Sequence, residues 1–176
     1  MNVGVGACVA LTLALPFATK GWAKDTDYPI AVEASGVEIS DHRVYLDMRV
    51  WNCSNKSLAM DLSNLPWGAS LGRGLVVYEA YTGKALQQEY PIEDFPSRSY
   101  TIPSGKSITG KIDLYWYFPK LAEVKNMRDL VVFWVYQPLG KDGAPVSRKF
   151  GGMVPLDSES FRPSRGSPCR LRGAIQ

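Results

Sequence analysis

The stretch VYLDMRVW, residues 44–51, restricts the fold more than any other part of the chain. Val44, Leu46, Met48 and Val50 alternate with Tyr45, Asp47, Arg49 and Trp51. A period of two suits a strand with one buried face and does not suit a helix. The polar cluster NCSNKS follows as a turn, and LAMDL then resumes the alternation with Leu58, Met60 and Leu62. GLVVYEAY and KALQQEYPI, separated by Thr82-Gly83, read as a hairpin. YTIPSGKSITGKIDLYWYF reads as two strands around Pro103-Ser104-Gly105, with Ile108, Ile112, Leu114 and Trp116 on one face and Gly110 permitting a bulge. LVVFWVYQ, almost wholly apolar, suits a central strand covered on both faces, and SRKFGGMVPL suits a final edge strand. Only PKLAEVKNM, residues 119–127, has helical spacing, with Pro119 fitting the first turn. The pattern predicts an all-β chain: an antiparallel immunoglobulin-like β-sandwich of about 7–9 strands with one short helix.

The N-terminus is set apart. Val3–Leu15 is an apolar run of signal-peptide length, too short for a stable bilayer span, and Gly21-Trp22-Ala23 offers small residues for cleavage after Ala23. No Lys or Arg precedes the run and Lys20 follows it, so a buried N-terminal helix is the competing reading. The expected organisation is a signal peptide at 1–23, a sandwich domain at 24–156 and a disordered basic tail at 157–176. Localisation in the periplasm or outside the cell follows from the signal, and no later segment has the roughly 20 apolar residues of a membrane span.

Between Lys24 and Leu156, 15 Lys and Arg face 15 Asp and Glu, so the domain is neutral and the excess positive charge sits in Lys20 and the tail arginines. Nucleic-acid binding normally needs a clustered basic face and is not expected. After signal removal two cysteines remain, Cys53 and Cys169, which either pair in an oxidising compartment or stay as separate thiols.

Catalytic residues are expected to be absent. The chain has a single histidine, His42, at a turn, and no Gly-x-Ser-x-Gly elbow to present a nucleophile. One His and two distant Cys do not make a zinc site. A copper site would have to draw on Met48, Met60, Met127, Met153 and Cys53, of which Met48 and Met60 fall at inward strand positions. Glu93 and Asp94 in PIEDFP are too few for calcium. No metal or other cofactor is expected. Asn52-Cys53-Ser54 and Asn55-Lys56-Ser57 both fit the N-glycosylation pattern, which turn chemistry alone also produces.

Aromatic residues are the remaining binding candidates. In Asn64-Leu65-Pro66-Trp67-Gly68, a rigid proline and a freely turning glycine flank the largest side chain. Trp67 is therefore either a plug folded over one end of the core or a ligand-gripping residue. Pro66, Trp67, Tyr78 and Tyr81 are the candidate binding residues.

The order VWNCSNKSLAMDLSNLPWG, LVVYEAYTGKAL, YPIEDF, TIPSGKSITGKIDLYWYFP, DLVVFWVYQ and GGMV resembles a group of small exported bacterial immunoglobulin-like β-sandwich proteins that carry a Leu-Pro-Trp-Gly loop. The resemblance spans roughly residues 29–156 and is most specific at Leu65–Gly68, Pro91-Ile92 and Gly110–Leu114. It implies the sandwich fold and brings no activity with it. More distantly the chain is similar to small secreted sandwich inhibitors of proteinases, but their inhibitory loop residues find no match here. The functional expectation is a non-enzymatic periplasmic or secreted protein that binds another protein or a cell-envelope component. A proteinase inhibitor and a glycan-binding module are the alternatives.

Overall fold

A computed structural model describes residues 29–40, 43–70, 74–90, 98–140, 142–157 and 166–169. The proposed signal peptide, His42, the acidic pair Glu93 and Asp94, and most of the basic tail lie outside the described residues.

The all-β expectation agrees with the observed architecture. β1 (Ile30–Ser40), β2 (Arg43–Asn52) and β7 (Ser107–Asp113) form one antiparallel sheet in the order β1-β2-β7. β3 (Leu58–Asp61) pairs with β6 (Ser99–Ile102). A four-stranded sheet has the order β5-β4-β8-β9, from β4 (Leu75–Glu79), β5 (Lys84–Ala85), β8 (Leu130–Tyr136) and β9 (Phe150–Pro155). The inner row of β2, Val44, Leu46, Met48 and Val50, is fully buried, as its alternation requires. It meets Leu75, Val77, Leu130, Val132, Trp134 and Val154 of the four-stranded sheet, with Met60 and Ile102 of the small sheet, in one continuous core.

β1 has no counterpart among the strands expected from the sequence, and its pairing shows why. The register with β2 shifts between Ala34 and Gly36, a bulge that moves the apolar positions from Ile30, Val32 and Ala34 to Val37 and Ile39. An alternation that changes phase midway does not read as one strand. The bulge expected at Gly110 is corrected: Met48↔Gly110 sits in an uninterrupted β2–β7 register.

The chain after β7 also departs from expectation. The strand does not run on through Trp116. Asp113 accepts a hydrogen bond from the Tyr115 backbone N–H at 3.0 Å and caps a single helical turn, α1 (Leu114–Tyr117). That turn buries Leu114 and Tyr117 and leaves Trp116 exposed, not packed in the core. PKLAEVKNM forms a 3-10 turn at Pro119–Glu123, with Leu121 buried, followed by a second at Met127–Asp129. Gly83 at φ 69° closes the β4–β5 hairpin through its N–H to the Glu79 carbonyl, the left-handed geometry that favours glycine.

At the end of β2, Asn52 is the one buried polar side chain of the described core. Its Nδ2 donates to the Lys56 carbonyl at 2.7 Å and the Ile102 carbonyl at 2.8 Å. Its Oδ1 accepts from the Ser54 backbone N–H at 3.0 Å and the Ser54 hydroxyl at 2.7 Å. The amide thus fastens the NCSNKS turn and the end of β6 to β2. A side chain so enclosed is closed to glycosylation in the folded protein, whereas Asn55 is exposed. Next to it, Cys53 is bonded to Cys169, 116 residues away, with Cα atoms 5.2 Å apart. Closing a loop of that length removes denatured-state entropy worth about 4–5 kcal/mol in the chain-entropy picture.

Asn52→Asp should cost about 3–5 kcal/mol, because it turns a carboxylate oxygen toward two carbonyls inside the core. Asn55→Asp, on the exposed side of the same turn, should stay within about 0.5 kcal/mol of the native chain. Urea-unfolding midpoints of the two variants check the contrast.

Candidate functional site

The four binding candidates separate into two places. Leu62–Asn64 makes a 3-10 turn, Leu65 N–H returns to the Leu62 carbonyl at 3.0 Å, and Gly68 N–H returns to the Leu65 carbonyl at 2.9 Å. This tight winding buries Leu65 and Pro66. It also brings Gly68 so close to the Leu62 carbonyl that any side chain there would collide with the backbone. Trp67 is half-buried and packs against the core. Its indole lies directly over Gly110 of β7, in the space where a β-carbon would stand. The glycine in GKIDL is thus a seat for the ring. Tyr136 locks the loop from the other side: its buried hydroxyl donates to the Asn64 carbonyl, and Asn64 Nδ2 donates to the Gly140 carbonyl at 3.0 Å. Burial holds the Tyr136 pKa well above its ordinary value of 10.0.

Tyr81, in the β4–β5 turn, is almost fully solvated and has no core contact. Tyr78 stands on the outer face of β4, edge-on to Phe133 of β8 with ring centroids 6.4 Å apart. The structure therefore does not gather Pro66, Trp67, Tyr78 and Tyr81 into one site.

What the Tyr78–Phe133 pair marks is a surface that the sequence reading missed. The pairs Val76↔Phe133↔Met153 and Val135↔Gly151 put Val76, Phe133, Val135 and Met153 on the same outward side as Tyr78. These five side chains are all exposed. Ala85, Val131 and Pro155 continue the face through their pairing with Tyr78 and Val131. None of these positions is charged, and the Tyr78 hydroxyl is their one polar side-chain group. β8 was expected to be covered on both faces. It is central only in the hydrogen-bonding direction: Leu130, Val132, Trp134 and Tyr136 are buried, while Phe133 and Val135 face outward. The signal is in VVFWVY, an apolar run for which the described residues hold no long helix to lay over it.

The outer face of β1-β2-β7 has the opposite chemistry. Arg43 pairs with Asp113, Lys111 with Glu38, and Arg49 with Glu33 at 3.8 Å. Trp51 donates its indole N–H to Glu33 at 3.0 Å, and the Arg49 guanidinium lies 5.6 Å from the Trp51 ring centroid. The bond to Glu38 raises the pKa of Lys111. An open groove of about 420 Å³ crosses this face, lined by Ser35, Asp47, Arg49, Thr109, Gly110 and Lys111. Its charges are neutralised by neighbours on the same face, as on an ordinary solvated sheet surface.

Metal ligation gains no support from the sulfur residues. Met48 and Met60 are core side chains, and the Cys53 sulfur is committed to Cys169. Among the described residues no group of three or more His, Cys, Asp or Glu side chains comes together. No helix of the described residues is long and apolar enough to cross a membrane.

Gly110→Ala should cost about 2–3 kcal/mol by overpacking, and Trp67→Ala about 2–4 kcal/mol by leaving a void. The double variant should fall short of the sum by about 1–2 kcal/mol, since the new methyl then occupies the vacated space. Additive losses in a denaturation cycle would mean that the ring is not seated on Gly110. Tyr136 supplies a pH test. Its folded-state pKa is raised, so the stability tied to its neutral form is complete below the unfolded value of about 10 and is lost as pH rises above it. Unfolding midpoints between pH 8 and 11 should show this slope in the native chain and a shallower one in Tyr136→Phe.

No protein-family model, curated protein or solved structure matches the chain.

Proposed function

We propose that this chain is a non-enzymatic, exported immunoglobulin-like β-sandwich that binds another protein through the outer face of its four-stranded sheet. One observation carries the reading: the exposed face formed by Val76, Tyr78, Phe133, Val135 and Met153 holds no charged side chain among the described residues. Antiparallel sheets that end at water normally alternate apolar-in with polar-out. The other large sheet does so, with Asp47, Arg49, Thr109 and Lys111 on its outside. An apolar face retained on one sheet alone is the mark of a contact surface. The export half of the proposal rests on the signal-like segment at residues 1–23 and on the Cys53–Cys169 bond, which suits an oxidising compartment. Of the alternatives, glycan binding needs an open indole platform, and the Trp67 ring is packed over Gly110.

The reading is tested by placing a photoreactive amino acid at position 133 or 153 of the exported protein in its native host. A discrete protein adduct should form from both positions and not from a control at Thr109 on the charged sheet. No adduct from 133 and 153, or the same adduct from 109, rejects it.

A further inference from the structure

The partner can be named more closely from the chemistry of the face, given the reading of that face as a protein-binding surface. We infer that it is closed by the same face of a second copy of this chain, in a two-fold dimer whose four-stranded sheets pack against each other.

A face without charge has no electrostatic means of selecting a partner of opposite sign. Its affinity comes from excluding water over an area, and the partner that matches it is another uncharged sheet face. A second copy brings such a face with the same curvature and width. Two like faces in contact also place no like charges opposite each other, the usual penalty of self-association.

The area meets the minimum of roughly 1,000 Å² for a specific, weak contact. The five side chains are exposed between 36% and 59%. With their flanking neighbours they present about 500–600 Å² per copy, or about 1,000–1,200 Å² for the pair, which reaches the lower range of specific interfaces. The same patch is at the upper end of what a monomer normally leaves open to water.

The topology suits a closed, isologous contact. β8 runs between β4 and β9, so the patch extends to both sides of it, with Val76 and Tyr78 on one flank and Met153 on the other. A two-fold axis along β8 lays β4 of one copy across β9 of the other, at the roughly 10 Å spacing of packed sheets. Every exposed apolar side chain of the patch is then covered in both copies. The charged faces of the two β1-β2-β7 sheets remain outside.

Sedimentation of the oxidised protein from about 1 to 100 µM tests the inference. The weight-average mass should rise toward that of two chains, with little change between 0.05 and 1 M salt, because no charge pair holds the contact. Val135→Lys and Met153→Lys should each weaken the dimer at least tenfold while keeping the native circular dichroism and unfolding midpoint. Val135 is central and Met153 lies on the edge strand, so at least one variant should fold. Lys111→Glu, on the charged face, should leave association unchanged. A native chain that stays monomeric at 100 µM overturns the inference, as does a dimer that a folded Val135→Lys or Met153→Lys variant keeps at full strength. The photoadduct separates this failure from that of the broader reading. An adduct with the mass of two chains supports the dimer, and an adduct with a different protein overturns the dimer while leaving the protein-binding face in place. No adduct ends both.

Discussion

Val44, Leu46, Met48 and Val50 lie on one side of a single strand, and all four are removed from water. A strand cannot bury such a row by itself; it needs an apolar layer opposite. The layer is supplied by the inner sides of β4, β8 and β9, with Met60 and Ile102 of the small sheet completing the core. Each of these elements donates alternate residues inward, so this packing is periodic, and Leu114 and Tyr117 of α1 and Leu121 of the turn after it join the same core. Burial of this kind is worth about 1.5–3 kcal/mol for each large aliphatic side chain, which is why the row on β2 governs where the other strands settle.

Two devices fix the ends of this arrangement. Asn52, on β2, spends its hydrogen bonds on the turn at Ser54 and Lys56 and on Ile102 of β6, so the only buried polar side chain of the described core also defines how the turn after β2 meets β6. Trp67 closes the core differently, by shape. Its indole needs a flat floor, and Gly110 provides one because it brings no β-carbon. Tyr136 then holds the backbone of the loop through Asn64. A glycine-seated ring and a tyrosine hydroxyl thus tie the Leu-Pro-Trp-Gly loop to β7 and β8.

The two large sheets differ in what they turn to the outside. One carries paired charges that satisfy each other in water. The other carries valines, a phenylalanine, a methionine and a tyrosine. The difference does not arise from core packing, because outward positions take no part in it. It is the feature of this molecule that folding alone does not explain, and the protein-binding proposal rests on it.

Strand positions were legible in the sequence wherever alternation kept one phase: β2 from Val44 to Val50, the Gly83 hairpin and the final edge strand. β1 was hidden because a bulge at Ala34/Gly36 changes the phase of its apolar residues. The end of β7 is not legible because Asp113 caps a helical turn in a stretch rich in strand-forming aromatics. In the site, the sequence points to Tyr78 but not to Phe133, Val135 and Met153, since an apolar strand reads the same whether its second face meets another layer or water. Local periodicity, then, settled the class of fold and the inward faces, because the spacing of side chains along an extended backbone is a property of the chain itself. Which outward face stays bare, which glycine receives Trp67, and how Asn52 joins the turn after β2 to β6 depend on residues far apart in sequence. Those were decided only when the strands came together.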